Sequence, residues 1–138
     1  MSAFVPLSAW EAALLAGTTA SALNFGIARA MARLLHAPAS FAPFTALPIL
    51  SGSFGGVFGA TLAYALLIRL TPHPFPVIYG VTALVLLASV ALPLRLFRPR
   101  PRRSKRFVGV TPAIAATLVG LHAVVALCSL SALRLWAG

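Results

Sequence analysis

The chain has 138 residues, of which 60% are hydrophobic and only 9% charged, with a mean hydropathy of +0.98. About a quarter of the residues of an ordinary soluble domain are charged, so this composition excludes a normal water-solvated surface and points to lipid as the solvent. The net charge of +10 arises from eleven Lys and Arg against one acid, Glu11, and seven of those cations fall between positions 95 and 106.

Taken in chain order, the apolar segments predict four membrane-spanning helices in one domain. Span one covers about 8–35, with a charge-free heart over 12–28 that is closed by Arg29 and Arg33. Span two covers about 44–70, approached through Pro43 and Pro48 and ended by Arg69, Thr71 and Pro72. Span three occupies about 75–94, with Pro93 near its end, and span four about 108–136, with Pro112 in its first turns. Each holds about 20 or more largely apolar residues, enough at 1.5 Å per residue to cross a hydrocarbon core of about 30 Å. A transmembrane barrel would need strands of alternating polarity. Continuous apolar runs such as 81–88 do not alternate. The expected fold is therefore all-α, an integral membrane four-helix bundle.

Loop charge predicts the orientation. With four spans, the first and third loops share a side and hold nine cations, while the second loop and both termini hold two, Arg69 and Arg134. Positive loops stay cytoplasmic, which places both termini outside and the basic loop, 95–107, inside. Trp10 and Trp136 then fall at the outer interface, where indole rings anchor. The second loop, rich in proline over 71–76, predicts a tight antiparallel hairpin. The third alternates Arg with Pro at first and is expected to be extended.

Several residues stand out against this apolar background. Gly52, Gly55, Gly56 and Gly59 form two overlapping small-xxx-small pairs, a helix-packing signature inside a bundle or between chains. Asn24 is the one amide well inside a span, and it is expected to bond a neighbouring helix. His122 is the one histidine within a span, placed past the midplane by counting from position 108. An intramembrane ionisable group is a candidate proton relay or metal or haem ligand, although a hydrogen-bonded structural histidine is the plainer reading. His36 and His73 belong to opposite ends of the spans and cannot readily join it. Arg98, Arg100, Arg102, Arg103, Lys105 and Arg106 fix topology and can meet anionic lipid headgroups. They lack the interleaved aromatics of a nucleic-acid site, so no nucleic acid is expected.

No enzyme is expected. The sequence has no paired carboxylates, no HExxH, no phosphate-binding loop and no Ser/His/Asp set. The lone Cys128 excludes an intrachain disulfide, no cofactor is indicated, and the N-terminus lacks the basic region of a cleavable signal peptide. The preference for Arg over Lys and the abundance of Ala suggest a GC-rich bacterial gene.

The order of features resembles the bacterial four-span membrane proteins of domain-of-unknown-function family 6069. The likeness spans about 13–135. It rests on SALNFGIARA around Asn24, a small-residue second span ending at Leu70 and Thr71, a third span ending in SVALP at Pro93, and LHAVV around His122. The long Arg/Pro loop departs from it. The resemblance implies a fold and a membrane location and names no activity. The expected role is a structural or accessory membrane subunit, with possible homo- or hetero-oligomers through the small-residue faces. The alternatives are a small transporter or channel subunit, then a haem- or quinone-linked redox subunit.

Overall fold

The computed structural model describes residues 7–37, 41–96 and 111–137, and those residues form four α-helices with no strand among them. The helices are α1 (Leu7–Leu34), α2 (Ala46–Leu70), α3 (Pro74–Leu96) and α4 (Pro112–Ala137), with a short 3-10 turn at Ala42–Phe44 ahead of α2. The basic residues Arg98, Arg100, Arg102, Arg103, Lys105 and Arg106 lie outside the described residues.

The helix ends follow from local chemistry. α1 closes in a Schellman motif: Ala37 N–H donates to Ala32 O at 2.9 Å and His36 N–H to Arg33 O at 3.3 Å. His36 sits at the left-handed position with φ 48°, a place glycine usually fills. α4 begins at Pro112, and Thr111 caps it by accepting the Ile114 N–H at 3.2 Å. Between α2 and α3 only Thr71, Pro72 and His73 intervene, and Thr71 Oγ1 accepts the His73 N–H. Pro74 and Pro76, expected in the loop, belong instead to the first turn of α3. Prolines are tolerated there because the N–H groups have no partner in the helix anyway.

Helices α1, α2 and α4 pack closely together, and α3 lies against α2 and α4. Small side chains fill much of the interior, with clusters of larger apolar ones between them. Ala12, Ala13, Ala16, Ala20 and Ala28 of α1 are buried, with Ser21, Asn24, Ser53, Thr61, Thr117 and Ser129 beside or beyond them. At one end Ile49, Ile114 and Leu121 close over Phe41 and Phe44, whose rings meet edge to face at 5.0 Å. At the other end Tyr64, Ile78 and Leu133 form the contact between α2, α3 and α4. Trp10, expected as an interfacial anchor, is half-buried and stacks towards Phe58, ring centres 6.0 Å apart.

The outside of the bundle is the apolar surface. Leu14, Leu15, Leu23, Leu47, Leu62, Leu84, Leu87 and Leu127 each leave half or more of their surface exposed. Two helical segments, Ala46–Leu70 and Pro112–Leu135, are long and apolar enough to cross a membrane, and Pro74–Ser89 is apolar but shorter.

Candidate functional site

The site is a groove of about 470 Å³ between α2, α3 and α4, with Asn24 of α1 in its wall. Helix α3 makes it. Near its beginning, Phe75, Ile78 and Tyr79 hold α3 to the bundle: Phe75 tilts against Tyr64 at 5.1 Å, and Ile78 is fully buried. Arg134 of α4 clamps the same end. Its guanidinium lies 4.7 Å from the Phe75 ring centre, and its Nε–H donates to Tyr79 Oη. Beyond Ile78 the facing residues are Thr82, Val85, Leu86 and Ser89, one stripe of a helix, and they line the groove.

The α2 wall carries the four glycines. A methyl group added at Gly56 would stand 2.5 Å from Val125 Cγ1, so Gly56 is where α2 and α4 approach closely. At Gly52, Gly55 and Gly59 the same methyl meets no neighbouring atom within 4 Å. At these three the α2 surface faces the groove, not a neighbouring helix among the described residues. A second close approach is at Gly17, part of a stripe of small residues in the first span (Ala13, Gly17, Ser21, Asn24, Ala28), where the added carbon would meet the Phe54 ring at 2.6 Å.

Asn24 is 3% exposed and joins three helices. Its Nδ2 donates to Ser53 Oγ of α2 and to Leu121 O of α4, both at 3.2 Å. Its Oδ1 is buried and has no hydrogen-bond partner among the described residues, as is true of Ser21 Oγ one turn away. Asparagine, rather than a hydroxyl or an apolar residue, is what the place requires: two donors are needed in two directions.

His122 stands ten residues past Pro112, the first residue of the 26-residue α4. Its ring is exposed and lines the groove. Nδ1 lies 2.7 Å from Leu118 O. A carbonyl only accepts, so Nδ1 carries the hydrogen, and in the neutral ring Nε2 is left as an acceptor. No group of three or more His, Cys, Asp or Glu that could hold a metal occurs among the described residues.

The structure thus brings Asn24, His122 and the α2 glycines to one groove. The sequence reading missed the contribution of α3. The stripe Ile78, Thr82, Leu86 and Ser89 repeats at helical spacing and carries two hydroxyls, a signal that was present but had no partner to give it meaning. Comparison with protein families, curated proteins and solved structures found no match in any of the three.

Proposed function

We propose that the chain is a multi-pass protein of a bacterial cell membrane, a four-helix bundle that acts as a structural or accessory subunit without catalysis. One observation carries this reading: polarity is arranged inside out. Alanine, serine, threonine and asparagine hold most of the buried positions, between apolar clusters such as Ile78 and Ile114, while leucines such as Leu84 and Leu127 stand two-thirds exposed on the outside. Water would penalise that surface, and lipid accepts it. Small residues inside are what helix packing in lipid requires, because close approach replaces the hydrophobic drive.

The same logic includes α1, whose polar Ser21 and Asn24 turn inward while Leu14, Leu15 and Leu23 face out. At ~1.5 Å per residue, even the 23-residue α3 is long enough for a core of ~30 Å. The cation asymmetry, nine against two, puts the basic loop on the cytoplasmic face and both termini outside. Arg98 to Arg106 then meet anionic headgroups, worth about 1 kcal/mol per cation near the surface. Arg29 lies over the Phe25 ring at 5.2 Å, an arrangement suited to the inner interface.

Sidedness is tested with Arg102→Cys or Ser104→Cys in a Cys128→Ala background. A thiol reagent that cannot cross the membrane should label neither in intact cells and both after permeabilisation. Labelling in intact cells would reverse the topology. Purified protein that stays monodisperse in detergent-free buffer would sink the membrane reading itself.

The groove supports a second reading, a small transporter or channel subunit, because it gathers Asn24, His122 and the open glycines. A haem-linked role finds less support, since His36 and His73 belong to opposite ends of the helices and neither lines the groove. The absorption spectrum of the purified protein decides that point.

A further inference from the structure

We infer that the groove between α2, α3 and α4 binds a neutral, lipid-soluble molecule that carries a hydroxyl. This rests on the membrane reading, since such a molecule reaches the groove from the surrounding lipid.

Size and lining fix the body of the ligand. The groove, at about 470 Å³, lies within the range of small-molecule sites, roughly 300–1,000 Å³. Its walls are mostly glycine, alanine and aliphatic side chains. A carbon added at Gly52, Gly55 or Gly59 meets no atom of the described residues within 4 Å. The body that fits is apolar.

The polar groups fix the head. Asn24 stands in the wall, and both observed bonds of its amide nitrogen are spent on Ser53 and Leu121. The amide oxygen, buried and without a partner among the described residues, lacks a donor, which is costly in an apolar setting. His122, with its hydrogen on Nδ1, offers Nε2 as a second acceptor. The hydroxyls of Ser89 and Ser129 donate to Val85 O and Val125 O of their own helices, so they present lone pairs as well. Among the described residues, no Lys, Arg, Asp or Glu lines the groove. A charged headgroup would be desolvated there without a counter-charge, and a molecule lacking any donor would leave the acceptors unmet. A hydroxyl satisfies both conditions. Quinols and isoprenoid alcohols share this chemistry.

The test uses the full chain in phosphatidylcholine nanodiscs, titrated with decylhydroquinone, its dimethyl ether and farnesol. Binding is followed by thermal unfolding and by the ¹⁵N resonance of the His122 ring. Decylhydroquinone should saturate, and the ether should bind at least about tenfold more weakly, the equivalent of one good hydrogen bond. His122→Phe should show a similar loss. Gly55→Leu fills the groove where there is room for it and should abolish binding; Gly52→Leu replaces it if helicity by circular dichroism is lost. Farnesol binding as tightly as the hydroquinone assigns the site to lipid alcohols at large, and binding of the hydroquinone alone assigns it to quinols.

Equal affinity for the ether, no saturation by any probe, or undiminished binding by both leucine variants would overturn the inference. So would a dimer that Gly55→Leu breaks and no probe displaces, because a second copy would then occupy the groove. Failure of the protein to enter nanodiscs would overturn the membrane reading first, whereas entry with native helicity and no discrimination overturns this site alone.

Discussion

Asn24 of α1 donates its amide hydrogen to the Leu121 carbonyl of α4 across a sequence separation of 97 residues, at 3.2 Å. The same nitrogen reaches Ser53 of α2, so one side chain ties three helices at a common level. Asn24→Ala removes both bonds. Interhelical hydrogen bonds in membranes average about 0.6 kcal/mol and reach about 1.7 kcal/mol. The expected loss is therefore about 1–2 kcal/mol by reversible unfolding in mixed micelles, with helicity retained. An unchanged unfolding midpoint would show that the triple tie contributes nothing.

The α2 glycines should divide into two kinds. Gly56→Ala forces a carbon to within 2.5 Å of Val125 Cγ1. Valine is stiff in a helix, so it cannot swing aside. Overpacking of this kind costs about 1–3 kcal/mol. Gly55→Ala meets open space, and the better helix propensity should leave stability unchanged or raise it by up to about 1 kcal/mol. A double-mutant cycle with Val125→Ala should recover most of the Gly56→Ala loss. Equal effects at positions 55 and 56 would contradict the geometry.

His36 occupies a left-handed backbone position with φ 48°. Such a conformation costs an L-residue roughly 1–2 kcal/mol, and glycine escapes it at some cost in chain entropy. His36→Gly should therefore stabilise by about 0.5–1 kcal/mol. A loss of stability would mean that the imidazole makes a contribution larger than the strain.

Thr111 accepts the Ile114 N–H at the start of α4. Thr111→Ala should cost about 1 kcal/mol, and Thr111→Ser should keep most of it. Thermal unfolding of the three proteins side by side checks the cap. Identical midpoints for the alanine and serine forms would remove it.

These particulars show which features the sequence carries openly. A buried amide needs partners, so the inward placement of Asn24 was legible, though which two atoms it would find depends on helices far away in the chain. The four glycines were legible as places without side chains. Whether a neighbour fills the vacated space depends on how the helices pack, and contacts such as Arg134 with Phe75 and Tyr79 join positions far apart in the chain that spacing does not reveal. The start of α4 could have been read from Thr111-Pro112, an N-cap followed by a favoured first-turn proline. The end of α1 was legible from its closing arginines, at about 35, next to the observed Leu34, although a histidine stands where the closing motif usually carries glycine.

The way α3 is held has a mechanical consequence. Its contacts through Phe75, Ile78, Tyr79 and Arg134 gather near its start, and from Thr82 to Ser89 it lines the groove. Amide hydrogen exchange should therefore quicken from Ile78 towards Ser89 while Asn24, Ser53 and Leu121 stay slow, and uniform exchange along α3 would show that the uneven grip has no effect on its stiffness.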